Sequence, residues 1–256
     1  MPRYPLVLAA AFAAALTLTA TGSIAKSVPS NIAAAVADSN RPDADKQRDE
    51  NRKPAETLAF TGVKPGAQIG EIFPGSGYFT RLFSKAVGPT GHVYGLVPER
   101  PADAPADLPD FAAKVKAIAA DPNYANVSVV VQPLSKLAPP VPVDLIWTSQ
   151  NYHDLHNLAG LDIAAFNKRM FDSLKPGGIY LVLDHAALPG SGARDTKTLH
   201  RIDPETVKSE VLAAGFKLVG SSDVVSHSDT HTLKVFDPAI RGKTDQFTLK
   251  FRKPAK

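Results

Sequence analysis

The sequence contains no cysteine. That absence excludes a disulfide framework, a thiolate nucleophile, a thiolate zinc site and a lipid anchor on cysteine. Aromatic residues are sparse, at 7% with a single Trp. No basic stripe is interleaved with them, so nucleic acid is not an expected partner. Neither sign of charge dominates: 29 Lys and Arg stand against 25 Asp and Glu, a formal charge of +4. An excess this small fits solubility and does not mark a polyanion binder. No internal repeat is visible. What is present is ordinary globular composition, with 44% hydrophobic and 21% charged residues over 256 positions. A chain of that size can bury a large core.

The one long apolar run is at the start. Arg3 supplies a positive charge, residues 6–18 are apolar apart from Thr17, and Ser23-Ile24-Ala25 is a small-residue site. This pattern reads as a secretory signal peptide over residues 1–25, cleaved after Ala25. The competing reading is an uncleaved anchor, but the run falls short of the roughly 20 apolar residues that span a bilayer. The mature protein is then expected in the periplasm or secreted, with no stable membrane span. Residues 26–53 read as a charged helical extension. Nine charges crowd into 40–53, with Pro42 suited to a first helical turn and Pro54 a stop or kink. The mixed signs predict a solvated helix packed on a domain.

From residue 54 onward the pattern is one α/β domain. Strands are expected at 68–73, 92–97, 127–131, 143–149, 179–185, 216–225 and 246–253. Helices are expected at 78–87 and 111–120, after Asp162 to about residue 174, and after the Asp203 N-cap, where Pro204 opens the helix and Gly215 follows it. Alternating strands and helices imply a mostly parallel sheet. In such sheets ligands bind beyond the carboxyl ends of the strands.

The first strand runs into Glu71-Ile72-Phe73-Pro74-Gly75-Ser76-Gly77-Tyr78 and then a helix. Glycines let a ligand approach the backbone, and a helix N-terminus favours an anionic or polar group. A dinucleotide fingerprint needs a third glycine where Thr80 stands, which disfavours a nucleotide-dependent oxidoreductase. The segment resembles the first motif of the class I S-adenosylmethionine-dependent methyltransferases. Val143-Asp144-Leu145-Ile146-Trp147 resembles their fourth strand, and the stretch from Leu174 through Lys175-Pro176-Gly177-Gly178 to His185 their fifth. Asn151-Tyr152-His153-Asp154-Leu155-His156 and Leu199-His200-Arg201-Ile202-Asp203 look like phrases of a group of exported bacterial methyltransferases. The resemblance covers residues 54–254. It implies a Rossmann-like seven-stranded sheet, mostly parallel with the last strand antiparallel and helices on both faces. It also implies S-adenosyl-L-methionine as cofactor and a small-molecule or envelope-component acceptor.

Carried over, the resemblance assigns cofactor binding to Glu71, Phe73, Pro74, Gly75, Ser76, Gly77 and Asn151. The family has glycine where Phe73 stands and an acidic residue where Val97 ends the second strand. Glu99 is the candidate substitute for that acid, and Gln132, before Pro133, the candidate partner for adenine. A non-catalytic ligand-binding protein on the same scaffold is the alternative. His153 and His185 follow the fourth and fifth strands and are the candidate bases, with Asp184 or Asp154 orienting the imidazole. His156 reads as a surface or capping residue, and His227 and His231 as solvated. His153, Asp184, His185 and His200 also have the chemistry of a metal site; no metal is expected. Arg201, Arg241 and Lys243 would contact an anionic substrate group or form a salt-bridged surface.

Overall fold

The computed structural model describes residue 1 and residues 28–101, 104, 105, 107 and 109–255. Residues 2–25 of the expected leader thus lie outside the described residues. No described helix is long and apolar enough to cross a membrane.

Seven strands form one sheet: β1 (Gln68–Ile72), β2 (His92–Pro98), β3 (Val127–Gln132), β4 (Val143–Ser149), β5 (Leu174–His185), β6 (Lys217–Ser222) and β7 (Gln246–Arg252). Their order is β3-β2-β1-β4-β5-β7-β6. β1 to β5 pair in parallel, and β7 runs antiparallel to both β5 and β6. The expected fold class is therefore the one observed. The central strands are apolar on both faces because both faces are covered, as a parallel sheet requires.

The period of two along β4 sorts the core. Trp147 packs on the side of Phe79 and Phe83, at ring-centroid distances of 4.6 and 5.4 Å. Its neighbour Ile146 faces the opposite layer. The first layer holds α1 (Ser30–Val36), α4 (Pro54–Thr61), α5 (Tyr78–Val87) and α6 (Ala113–Ala119). The second holds α7 (Tyr152–Leu155), α8 (Ile163–Asp172) and α9 (Pro204–Ala213). The side chains of Asp162 and Asp203 cap α8 and α9 as their identities predict. Lys175-Pro176-Gly177-Gly178 makes its turn inside β5. The register jumps there from Val143↔Leu174 to Leu145↔Ile179, with Gly177 at φ +79°.

The charged extension departs from expectation. It is not one solvated helix. Two one-turn helices, α2 (Asp43–Lys46) and α3 (Asp49–Arg52), cross the start of α5 as a strap. Arg41 and Asp45 are only 2% and 5% exposed. α3 stops at Arg52, just short of Pro54, as the proline leads one to expect, and Pro54 then opens α4. Lys53 before it takes a left-handed φ of +43°, which reverses the chain between α3 and α4. A run of mixed charge is solvated by default, but here the two buried charges are paired, one within the strap and one across the fold. Arg41 binds Asp49, and Arg81 of α5 binds Asp45 at 3.0 Å.

Candidate active site

The site lies at the carboxyl ends of β1, β2, β4 and β5. The loop after β1 turns through three left-handed residues: Phe73 (φ +50°), Gly75 (φ +58°) and Gly77 (φ +79°), which opens α5. For glycine this is free, whereas a bulky residue such as Phe73 is strained there. The conformation explains why glycine is the residue expected at 73. A Cβ on Gly77 would sit 2.0 Å from Ile118, and one on Gly75 would meet nothing within 4 Å. So a side chain at Gly77 would have to push the tip of Ile118 aside and hold a left-handed backbone, while Gly75 leaves open space.

Asn151 fastens this loop to β4. Its Nδ2 donates to the carbonyls of Phe73 and Ser149 at 3.2 and 2.8 Å. Tyr152, next to it, points away into the core, where its hydroxyl donates to Glu210. Gln150 and His200 also hold left-handed backbones, at φ +61° and +56°. Such strain persists only where surrounding contacts impose it, and it gathers here around one cleft.

The strap roofs the loop. The guanidinium carbons of Arg41, Arg48 and Arg52 lie 5.6, 5.2 and 4.8 Å from the centroid of the Tyr78 ring, within cation–π range. The Tyr78 hydroxyl donates to Asp49 at 2.6 Å. Arg48 reaches Ser76 Oγ at 3.4 Å, and Arg52 donates to Gln150 Oε1 at 2.6 Å. Burial, with Arg48 beside it, lowers the Arg52 pKa to about 10, so it remains charged at neutral pH. Beneath it Glu71 is 3% exposed and accepts from Thr80 Oγ1 at 2.6 Å. Burial raises the Glu71 pKa to about 8, against the pull of Arg52 and Arg81.

Two recesses flank the loop and share Phe73, Pro74, Gly75, Ser76 and Asn151. One, about 160 Å³, is polar and adds Arg48, Arg52 and Glu71. The other, about 540 Å³, adds Val97, Pro98, Asp110 and Phe111. A third recess, about 550 Å³, opens between the strap and the segment before β7. His185 and Gln246 line it together with Arg48, Arg52 and Arg241, and no carboxylate does among the described residues.

His153 and Asp184 meet as expected. Asp184, wholly buried, accepts from His153 Nδ1 and from the His153 backbone N–H, each at 2.7 Å. Burial disfavours the charge on His153, but Asp184 and Asp154 outweigh it and hold the pKa at about 10. His185 goes the other way. Burial depresses it to about 4 despite Asp184, and its Nδ1 lies 2.8 Å from Thr244 Oγ1.

Other expected residues are placed elsewhere. Glu99 is exposed and lines none of the three recesses. Its N–H donates to the Gln132 carbonyl, and Gln132 Oε1 accepts from Ala138 N–H, so the Gln132 amide oxygen already has a backbone partner. His156 pairs with Glu210. His231 is not solvated as expected. It is half-buried and pairs with Asp245 at 2.8 Å, and His227 is half-buried beside it. Arg201 is fully buried against Asp229. Arg48, Arg52, Gln150, Asp110 and Phe111 were not singled out from the sequence. The spacing of Arg41, Arg48 and Arg52, seven and then four apart, was the available signal.

No family model matches the chain, and no curated protein matches it in sequence. Solved structures do share its fold. A SAM dependent methyltransferase from Aquifex aeolicus is 18% identical, covering 83% of this chain and 98% of that one, with a TM-score of 0.57. An S-adenosylmethionine dependent methyltransferase from Mesorhizobium loti is 15% identical over 77% of this chain and 96% of that one, with a TM-score of 0.52. The glycopeptide N-methyltransferase MtfA, complexed with S-adenosylmethionine, is 15% identical over 78% and 86%, with a TM-score of 0.51. At these identities the likeness establishes the class I methyltransferase fold.

Proposed function

We propose that this chain is an S-adenosylmethionine-dependent methyltransferase acting on a small molecule or a component of the cell envelope. The observation that carries the reading is the left-handed loop from Phe73 to Gly77, flanked by two recesses and roofed by arginines. Class I neighbours, one of them with the cofactor bound, support it.

The residues fit the group. The apolar recess with Val97 and Phe111 suits a nucleoside, and its volume falls within the usual range for ligand pockets. The polar recess offers Arg48 and Arg52 to an amino-acid carboxylate. Gly75 leaves room against the backbone. Ser76, Pro74, Phe73 and Asn151 line both spaces, and Glu71 closes the smaller one. Asp110 replaces Glu99 as the acidic residue at the edge of the nucleoside recess. When bound, the cofactor supplies a methyl group activated on a positively charged sulfur.

The chain's own task is alignment and proton handling. The third recess receives the acceptor. Among the described residues three cations and no carboxylate line it, which favours an acceptor bearing an anionic group. His185, neutral at physiological pH, lines the same recess. With Nδ1–H donated to Thr244, its Nε2 is the acceptor for a proton. Asp184 is a positioning residue: it holds His153 and accepts the His185 backbone N–H. The leader reading places this chemistry in the periplasm or outside the cell. A mature N-terminus at Lys26 in the periplasmic fraction is the expected finding.

The direct test is thermal. S-adenosylhomocysteine should raise the melting temperature of the chain lacking residues 1–25 by several degrees, and Gly75→Asp should abolish the rise. No shift in the unaltered protein overturns the reading. A full shift in the variant overturns the loop assignment.

A further inference from the structure

Beside the nucleoside recess, side chains from two distant segments converge. His153 and Asp154 sit on α7, and His200 on the segment after β5. His153 Nε2 lies 3.3 Å from His200 Nδ1 and 3.3 Å from Asp154 Oδ1. The third side of the triangle, His200 Nδ1 to Asp154 Oδ1, is 3.6 Å. A point equidistant from three atoms so spaced lies about 2.0 Å from each, which is the length of a zinc–nitrogen or zinc–oxygen bond. We propose that His153 Nε2, His200 Nδ1 and the Asp154 carboxylate form a binding site for a divalent transition metal, zinc(II) or a similar ion.

Hydrogen bonding alone accounts poorly for this arrangement. One proton on Nε2 would be divided between two partners at 3.3 Å, long for a charge-assisted bond. The opposite nitrogen of the same ring is held at 2.7 Å by Asp184. So the ring is fixed tightly from behind and loosely in front. A buried carboxylate behind a histidine, orienting its other nitrogen outward, is the usual support of a metal-bound imidazole. His200 is brought to the cluster in a left-handed conformation, φ +56°, with its ring against Phe236 at 4.9 Å. A histidine in that region of backbone space is a cost the fold sustains at this point.

The donor set selects the ion. Two imidazoles and one carboxylate suit zinc(II), cobalt(II), nickel(II) or iron(II), not magnesium or calcium, which prefer oxygen alone. Three protein ligands leave a position open, as in catalytic sites and unlike structural ones. Exposure agrees: His153 is buried, while His200 and Asp154 side chains are 24% and 41% exposed. Asp154 lines the nucleoside recess, and Phe236 lines the acceptor recess. Through these two side chains the cluster adjoins both recesses. Asp184 and His185 belong behind this site and are not its ligands, and the sequence expectation of no metal is revised at this cluster.

The test needs no methyl donor, so it stands apart from the methyltransferase reading. Untagged protein lacking residues 1–25, stripped by chelator, is titrated with zinc(II) by calorimetry and with cobalt(II) by visible absorption. One equivalent should bind at micromolar or lower Kd, with cobalt bands of four- or five-coordinate character. Asp154→Asn, at an exposed position, and His200→Ala should each weaken binding about 100-fold or more. Asp184→Asn should weaken it about 10–100-fold, as loss of outer support does. Failure of the unaltered protein to bind either ion below 100 μM, or unchanged affinity in folded Asp154→Asn, overturns the site.

Discussion

Two arginines of the fold, Arg201 and Arg52, are built in opposite ways. Arg201 is fully buried, and every direction of its guanidinium is used: Asp229 at 2.9 Å, the Ala186 carbonyl at 2.9 Å and the Leu233 carbonyl at 3.1 Å. Arg52 is half-buried and has one amide partner, Gln150, with the rings of Tyr78 and Phe79 beneath it. Among the described residues no carboxylate lies within ion-pairing distance of it. A buried charge without a counter-charge is expensive. Arg201 pins the segment after β5 to the loop before β7, whereas Arg52 lines two recesses and, on the proposed function, meets an anionic ligand there.

Four predictions sharpen or break this contrast. Arg201→Ala should have the largest effect. It leaves Asp229 buried without its partner, and urea unfolding should show a loss of about 3–5 kcal/mol. Trp147→Ala should cost a similar ~3–5 kcal/mol through the cavity left between Phe79 and Phe83. Arg52→Gln should behave differently from both. Stability should stay within about 1 kcal/mol, while S-adenosylhomocysteine binds about 10–100-fold more weakly, as loss of a charged hydrogen bond implies. If Arg52→Gln unfolds the protein as Arg201→Ala does, the contrast fails.

The smallest expected effect concerns Glu71 under Arg52. Its folded pKa, about 8, lies above its ordinary value of 4.5, so the folded state holds a proton the unfolded state loses between those values. The stability it contributes is full below about pH 4.5 and is lost as pH rises towards about 8. The slope is at most ~1.4 kcal/mol per pH unit. Glu71→Gln should remove that slope from a series of melting curves taken across the window. An unchanged slope would place the titrating group elsewhere.

The sheet was legible because its strands are β-branched or apolar runs set between turn residues. Val143–Ser149 and Tyr78–Val87 fall where the sequence puts them. The glycine loop and the His153–Asp184 pair were legible too, since both follow from what stands at the ends of strands. The strap was not. Its partners, Arg81 for Asp45 and Gln150 for Arg52, are 36 and 98 residues away. Nothing local distinguishes such a run from a solvated one. Glu99 and Gln132 stand where neighbouring strands end together: Val97 pairs with Val131, Pro98 with Gln132, and the Glu99 N–H donates to the Gln132 carbonyl. The sequence groups His153 with His200 but adds Asp184 and His185 where the structure brings Asp154, because the meeting depends on a left-handed residue 47 positions from its partner.

Calorimetric titration of the chain lacking residues 1–25 with S-adenosylmethionine and S-adenosylhomocysteine tests the central claim most directly. The arginine-roofed loop predicts one site with micromolar affinity, roughly −8 kcal/mol, that weakens in Arg52→Gln. The absence of heat of binding for both ligands would contradict it and leave Arg52 without the anion it is held to meet.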